Sequence, residues 1–456
     1  EVCTGLAALD THDGRLDGAR EAGETARRLW EELRDEAPGD PRCSDRLAAV
    51  LLTLGSVYER LGRSADSAAV LRQAIALWER LAGEGFTPTR CLVAAATARR
   101  FLADRMSEQG RSGEVTRLYE ENRARLDGLI SAGNTAPEVR QELLYTLSEL
   151  GEQYQHDGMQ AEADRCWRRG HDLGRQLADE IPDNPRVVYC LAVCGQNLAA
   201  RDPAAAHPAE ITRLCRQAAR LLEAQRQRDP TNQDTGRTLA DVYFSLSDSS
   251  QQAGRPGEAL RAARRAVEVL ADLTDHRPDD PAARLDLFVG QARLAVREQQ
   301  CGDPAAAKAT ARRAVEGFEQ FCEAQASGPG ATAVAAPCCG SLAAALRHAG
   351  ALDLSLRVAE RCRRMFEELV RRRADDPRHL IGLSEAWTQI GKVHWRGDRH
   401  ELTEAALRES AAAATRLAEC WPEYGQLRDE RRRRLGRFLE ERGRVAEAAA
   451  YLRPPE

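Results

Sequence analysis

Apolar residues recur at helical spacing along the chain. Leu147, Leu150 and Tyr154 lie three and four residues apart, with Gly151 directly after the second leucine. This spacing places the apolar side chains on one face of a helix, where the glycine lets a second helix approach closely. No run of β-branched or aromatic residues typical of a strand lies between turn signals. The pattern predicts an all-α chain, and similar sets occur at Leu51–Tyr58 and Trp387–His394.

Glycines interrupt this helical pattern at nearly constant intervals. Such glycines end helices because they adopt the left-handed conformation that other residues avoid. The successive intervals are 48, 48, 48, 96, 48, 48, 47 and 46 residues. We therefore predict a repeat of two helices with a 48-residue period. The turn glycines are Gly14, Gly62, Gly110, Gly158, Gly254, Gly302, Gly350, Gly397 and Gly443.

A second signal lies roughly half a period from each glycine turn. An Asp or Asn side chain can cap the first N–H groups of a helix, and a following proline fits the first helical position. Each repeat is therefore predicted to run from such a cap through helix A, the glycine turn and helix B. The cap sequences are Asp40-Pro41, Asn184-Pro185, Asp280-Pro281 and Asp376-Pro377.

This repeat resembles the tetratricopeptide repeat. Leu147-x2-Leu150-Gly151-x2-Tyr154, followed by Ala163 and Trp167, is close to that family's W-x2-L-G-x2-Y pattern with its later Ala and Phe. The resemblance implies a right-handed superhelical solenoid of about ten helix-turn-helix repeats. The period exceeds the family's usual value of about 34 residues, so HEAT-type repeats of about 40–47 residues are the alternative.

We expect one continuous solenoid with a single irregularity. Residues 1–200 are predicted to hold repeats 1–4 and the start of repeat 5, and residues 209–456 to hold repeats 5–10. Residues 201–208 form an irregular turn insert, where Ala206 replaces the expected glycine. Helix A before Gly14 is short, so we expect more protein upstream of Glu1, whereas Pro454-Pro455 is typical of a natural helix end.

The style of the turns suggests what could lie upstream. Turns such as Gly-Arg-Pro-Gly-Glu-Ala at 254–259, in an Arg-rich chain, resemble the C-terminal regions of planctomycete-type bacterial serine/threonine protein kinases. That resemblance implies an upstream kinase domain, with this chain as its regulatory or interaction region. The chain itself contains none of the kinase motifs, so it is not predicted to be an enzyme.

Composition and charge narrow the classes of function. The net charge of −5 gives no general excess of basic residues, so we predict no nucleic-acid binding. The uncharged stretch at 326–346 contains two prolines and three glycines, so we predict no membrane insertion. The 13 cysteines form no C-x-x-C motif and are typical of core residues in a reducing compartment, which predicts a cytoplasmic protein.

Motifs for metal or phosphate chemistry are incomplete. His400-Glu401 resembles the start of a zinc-protease helix motif, but Glu404 stands where the second histidine is required. Cys190 and Cys194 share a helix face without the further ligands that zinc needs. We predict no catalytic residue, no metal and no cofactor.

Basic runs at Arg371–Arg373 and Arg431–Arg434 are flanked by acidic residues. We interpret them as solvated helix faces with i,i+4 ion pairs; an anionic partner is the alternative.

Helix A lines the inner, concave surface of tetratricopeptide arrays, and this supplies the candidate ligand contacts. Exposed aromatic rings beside hydrogen-bonding groups suit the capture of a peptide. Alternatively, Phe244 and Trp395 pack between helices. The predicted function is a protein- or peptide-binding scaffold, with no cofactor. The candidate residues are Tyr145, Gln155, Phe244, Gln251, Lys392 and Trp395.

Overall fold

The computed structural model describes residues 16–61, 63–108, 112–156, 159–199, 208–230, 232–276, 278, 280–324, 331–372 and 377–452. Over these residues the chain forms nineteen α-helices and one short 3-10 turn, and no β-strand. The prediction of an all-α fold is confirmed. None of the helices in this described part is long and apolar enough to cross a membrane.

Even-numbered helices occupy the helix A position of the repeat and odd-numbered helices the helix B position. Helices α2, α4, α6 and α8 begin at intervals of 47, 49 and 48 residues, close to the predicted period. The helices are α1 (Leu16–Glu36), α2 (Pro41–Arg60), α3 (Ser64–Gly83), α4 (Pro88–Glu108), α5 (Ser112–Ser131), α6 (Pro137–His156), α7 (Gln160–Glu180), α8 (Pro185–Ala199), α9 (Pro208–Arg228), α10 (Gln233–Gln252), α11 (Pro256–His276), α12 (Pro281–Gln300), α13 (Pro304–Ala324), α14 (Ala331–His348), α15 (Leu352–Arg372), α16 (Pro377–Arg396), α17 (His400–Cys420), α18 (Gly425–Glu441) and α19 (Val445–Leu452).

The predicted helix caps are present where they are described. Oδ1 of Asp40 accepts a hydrogen bond from the backbone N–H of Arg42 at 2.9 Å, at the start of α2. Oδ1 of Asn184 accepts from the N–H groups of Arg186 and Val187, at 3.1 and 3.2 Å, at the start of α8. Each cap satisfies N–H groups that have no partner within the helix. The cap at Asp376 lies outside the described residues.

The glycine turns follow the prediction with one exception. Gly254, Gly302, Gly350 and Gly443 have φ angles of 71°, 81°, 77° and 74°. Gly397 was predicted to act in the same way, but Asp398 adopts the left-handed conformation instead, with φ 57°. Asp398 stands 48 residues after Gly350, so the period is kept while the residue type changes. The remaining predicted turn glycines, Gly14, Gly62, Gly110 and Gly158, lie outside the described residues.

A pair of glycines three residues apart tests the turn. Gly254→Ala is expected to lower the free energy of unfolding by about 1–2 kcal/mol, because a Cβ disfavours the left-handed conformation. Gly257 lies in the first turn of α11, where an added Cβ would meet only the far end of the Arg261 side chain, at 3.8 Å. Gly257→Ala should therefore raise stability by about 0.4–1 kcal/mol. Equilibrium denaturant unfolding of both variants measures the difference, and equal effects would contradict this account of the turn.

The chain divides into two compact units, residues 1–235 and 236–456. In unit 1, each helix from α1 to α9 packs on its neighbours in sequence, and α6 also packs on α4 and α8. In unit 2, helices α11 to α19 pack in the same consecutive manner, and α14 also contacts α12 and α16. Contacts between helices one and two places apart are typical of an α-solenoid. The A helices α4, α6 and α8 of unit 1, and α12, α14 and α16 of unit 2, therefore stack on one another.

Glycine on helix A allows this close packing. A Cβ at Gly151 would overlap the indole ring of Trp167, which is fully buried on α7. At Gly55 a Cβ would lie 2.8 Å from Cδ2 of Leu71 on α3. The Leu-Gly-x2-Tyr sets thus place their glycine against helix B, as the apolar pattern predicted. Residues 201–207 of the predicted insert lie outside the described part, so the repeat boundaries and the right-handed superhelix stay predictions.

Candidate functional site

A pocket of about 560 Å³ lies in unit 2 where the C-terminal ends of α14 and α16 meet α17 and α18. We call it the basic pocket because cationic side chains dominate its wall. Helix α14 supplies one of them, at its last turn, and α16 and α18 supply the others. The six cations are Arg347, Lys392, Arg396, Arg433, Arg434 and Arg437.

Helical spacing explains how these side chains reach one pocket. Lys392 and Arg396 are four residues apart on α16, and Arg433 and Arg437 are four apart on α18. Residues at this spacing lie on the same helix face. A Cβ at Gly391 would lie 3.5 Å from Cδ2 of Leu407, an ordinary van der Waals distance, so α16 and α17 are in close contact here. The packing of α16 on α17 thus forms the floor between the two cationic faces.

An ion pair fixes the spacing of α16 and α18 next to the pocket. Nη2 of Arg431 lies 2.7 Å from Oε2 of Glu385, and only 10% of the Arg431 side chain is exposed. Nη1 of the same arginine lies 3.1 Å from Oε1 of Glu430. Arg431 is therefore a link between the two helices.

The two basic runs accordingly differ. Arg371 and Arg372 pair with Glu368 on their own exposed helix face, as predicted for a solvated face. The second run departs from that interpretation, because Arg431 is mostly buried while Arg433 and Arg434 line the pocket. Successive residues on a helix point in different directions. Arg431 therefore pairs with a neighbouring helix, while Arg433 and Arg434 of the same run line the pocket. Arg373 lies outside the described residues.

Trp395 offers an aromatic surface at the edge of the pocket. Its side chain remains 45% exposed. The ring centroids of Phe438 and His400 each lie 5.7 Å from that of Trp395, in edge-to-face geometry. Phe438 is buried beneath it. The neighbours hold the indole in place and leave part of its surface available for a ligand.

Positive charge in the pocket is only partly neutralised. Glu430 and Glu441 are the acidic residues of the wall, against six cations. Arg434 lies 3.4 Å from Glu430. Within the described part of the chain, the other five cations have no carboxylate oxygen within 4 Å. Their formal excess of four positive charges (six minus two) favours an anionic ligand.

The pKa values of two pocket residues, Lys392 and Arg347, reflect this excess of positive charge. Burial lowers the pKa of Lys392, and the nearby Arg434, Arg347 and Arg431 lower it further against the opposing effect of Glu385. The pKa of Arg347 is also lowered, by burial and then by Arg396. Neighbouring cations repel one another across the pocket. A bound anion would relieve this repulsion.

The sequence-based candidates separate into three groups. Lys392 and Trp395 both line the basic pocket. Gln155 is exposed at the end of α6 in unit 1, and Gln251 is partly buried at the end of α10 in unit 2. Tyr145 and Phe244 are buried, with 8% and 5% exposed.

The prediction of exposed rings is wrong for Tyr145 and Phe244. The guanidinium of Arg186 covers Tyr145 at 4.5 Å from the ring centroid, and that of Arg293 covers Phe244 at 3.9 Å. Burial also raises the pKa of Tyr145 to about 12. Both rings pack between helices because their apolar surface is removed from water there. For Phe244 this agrees with the alternative given in the sequence analysis, in which the ring packs between helices.

Sequence reasoning missed most of the pocket wall. Arg347, Arg396 and Arg437 carried no motif, although Lys392/Arg396 and Arg433/Arg437 stand at i,i+4 spacing. That spacing indicated that each pair lies on one helix face. It did not indicate that α14, α16 and α18 meet at one pocket.

Metal ligation has no support in the described residues. They contain no group of three or more His, Cys, Asp or Glu side chains arranged to hold a metal ion. Cys190 is buried, and burial raises the pKa of its thiol to about 12. His400 contacts Asp398, with Nε2 2.6 Å from Oδ1, and packs against Trp395.

A family model of the tetratricopeptide repeat matches residues 48–77, which span most of α2, the following turn and the first part of α3. The fold is a tetratricopeptide-like helical solenoid. The family match favours this interpretation over the HEAT-type alternative. A comparison with curated proteins finds no match to the chain.

Solved structures of low sequence identity resemble the chain. BtubC (BKLC) from P. vanneervenii is 17% identical over 55% of this chain and 89% of its own, with a TM-score of 0.34. A Rap protein, solved in complex with Competence and Sporulation Factor, is 13% identical over 88% of this chain and 99% of its own, with a TM-score of 0.43. A circular tandem repeat protein is 15% identical over 98% and 96%, with a TM-score of 0.25.

Proposed function

We propose that this chain is a protein- or peptide-binding scaffold and that the basic pocket contacts the ligand. The observation that carries the proposal is the half-exposed ring of Trp395, held by Phe438 beside Lys392 at the mouth of a 560 Å³ pocket. Trp and Arg are the residues that contribute most to binding at protein interfaces. A surface whose side chains are already held in place loses little conformational entropy when a ligand binds.

The scaffold proposal also explains why the A helices carry the site. Arg347, Lys392 and Arg433 lie on α14, α16 and α18, which are successive A helices of unit 2. A ligand along these helices can contact several repeats at once, as in other helical-repeat proteins. The resemblance to bacterial kinase C-terminal regions would make this surface the interaction region of a larger protein. Sequencing the natural gene upstream of the codon for Glu1 tests that alternative, because a kinase domain there is its central expectation.

A displayed library of random peptides, selected on the full chain, tests the proposed function. Selected peptides are expected to lose about tenfold in affinity or more with Trp395→Ala, which corresponds to about 1.4 kcal/mol for a central aromatic contact. Leu402→Ala is the matched control, since Leu402 is also exposed, at 50%, and lies on α17 outside the pocket wall. Fluorescence anisotropy gives the affinities.

Two results would overturn the proposal. A library that yields no specific peptide argues against a peptide-binding scaffold. Peptides that bind wild type and Trp395→Ala equally well place the ligand surface elsewhere on the chain.

A further inference from the structure

We infer that the basic pocket selects a short, extended acidic peptide segment, with carboxylates at alternate positions and an apolar side chain against Trp395. This inference rests on the proposed function and names the chemistry of its ligand. It starts from the unbalanced charge of the pocket, where Arg347, Lys392, Arg396, Arg433 and Arg437 have no carboxylate within 4 Å among the described residues. An acidic segment supplies the missing carboxylates.

The spacing of the cations favours a series of charges over a single one. Lys392 and Arg396 form one pair on α16, and Arg433 and Arg437 form another on α18. Four residues of helix advance about 6 Å, and two residues of extended peptide advance about 6.6 Å. Carboxylates on alternate residues of an extended peptide therefore match successive cations of each pair.

One phosphate group fits this arrangement less well. A single phosphate carries a charge of only about −1.5 to −2, which is less than the formal excess of four positive charges in the pocket. The cations left without contact would continue to repel one another. A series of carboxylates on alternate residues places one charge opposite each cation of a pair.

Acidic residues limit the length of the site. Glu430 precedes the cations of α18 and Glu441 follows them, 11 residues later. That distance along the helix is about 16 Å, which is about five residues of extended peptide. A longer polyanion such as nucleic acid would pass these carboxylates, and it would meet a chain whose net charge is −5.

Trp395 adds a requirement for an apolar side chain. Its exposed ring packs edge-to-face on the buried Phe438 of α18 and lines the pocket together with the cations of α16. Successive side chains of an extended peptide point to opposite sides. When the carboxylates face Arg433 and Arg437 on α18, the residue between them therefore faces α16, which carries Trp395. Burying that side chain against the indole adds affinity that does not depend on salt.

The test uses an acetylated and amidated peptide, Gly-Glu-Leu-Glu-Leu-Glu-Gly, so that no terminal charge contributes. Its control replaces each Glu with Gln. We expect the Glu peptide to bind the full chain about tenfold more tightly than the Gln peptide or better, and its affinity to fall as salt rises. Isothermal titration calorimetry at two salt concentrations measures both effects.

Charge reversal locates the binding. The double variant Arg433→Glu/Arg437→Glu should lose about tenfold in affinity for the Glu peptide or more. Lys308→Glu/Arg312→Glu is the matched control, because these exposed cations are also four residues apart, on α13 of the same unit, and do not line the pocket. It should change the affinity by less than about twofold. Equal thermal unfolding by circular dichroism shows that both variants fold.

Several outcomes would overturn the inference and leave the scaffold proposal standing. Equal binding of the Glu and Gln peptides would show that charge does not select the ligand. Tighter binding of a peptide whose only charged residue is one phosphoserine, or of oligothymidylate, would assign the pocket to phosphate or nucleic acid. Failure of the Glu peptide, while library-selected peptides bind through Trp395, would also reject it. Failure of every peptide would instead reject the proposed function.

Discussion

Trp167→Ala is expected to lower the free energy of unfolding of unit 1 by about 3–5 kcal/mol. Trp167 is fully buried on α7 and belongs to the main apolar cluster of this unit. Its removal leaves a cavity against Gly151 of α6, where the absence of a Cβ brings the indole close to the backbone. Denaturant unfolding followed by far-UV circular dichroism measures the loss.

Two further variants make this test specific. Trp395→Ala changes the same residue type at a 45% exposed position, so it should cost about 1 kcal/mol or less. Gly151→Ala alone should destabilise the protein by about 1–3 kcal/mol, because its Cβ overlaps the indole of Trp167. In the Trp167→Ala background the same glycine change should be tolerated. If the losses of stability from Gly151→Ala and Trp167→Ala simply add in the double variant, the contact between Gly151 and Trp167 does not stabilise the packing of α6 on α7.

Arg100→Ala is expected to cost about 3–5 kcal/mol, because it leaves a carboxylate buried without its cation. Nε of Arg100 on α4 lies 3.2 Å from Oε1 of Glu142 on α6, and the two residues are only 4% and 5% exposed. Oγ1 of Thr97 donates to Oε2 of the same carboxylate at 3.2 Å. Burial lowers the pKa of Arg100, but the carboxylates of Glu142, Asp104 and Glu149 together outweigh this effect, and the pKa is raised. Equilibrium unfolding measures the loss of stability.

The double variant Arg100→Met/Glu142→Leu distinguishes the net contribution of the ion pair from the cost of leaving one buried charge without its partner. Apolar side chains of similar size avoid the cost of burying charge, so the double change should fall within about 1 kcal/mol of wild type or be more stable. The exposed pair of Arg357 and Glu319, at 2.8 Å, is the matched control. Arg357→Ala should cost less than about 1 kcal/mol. A double variant as unstable as Arg100→Ala would show that the ion pair itself is required.

Local rules predicted most of the fold. The set Leu147, Leu150, Gly151 and Tyr154 predicted both an amphipathic helix and the position where Trp167 packs. The caps at Asp40 and Asn184 and the turn at Gly350 follow from the conformational preferences of single residue types. The turn after α16 is the exception. Its left-handed residue is Asp398, at the position where the other turns have glycine.

The candidate site was much less predictable. Lys392 and Trp395 were recognised as exposed helix A candidates, but the same reasoning selected Tyr145 and Phe244, which are buried. A helical register assigns a residue to a face and does not say whether an arginine from a neighbouring helix covers that face. Arg186 and Arg293 cover the two rings, and no pattern within α6 or α10 reports them.

The sequence by itself determined the all-α repeat, its period, the helix caps and the left-handed turns, because each depends on residues close together in the chain. Only the tertiary structure decided that Arg347, Lys392 and Arg433 share one pocket, that Arg431 joins α16 to α18, and that Trp395 remains open to solvent. Those features depend on the distances between helices that are far apart in sequence. Packing of whole helix faces sets these distances. The repulsion between the cations of the pocket decreases as the distance between them increases, so it also depends on this packing.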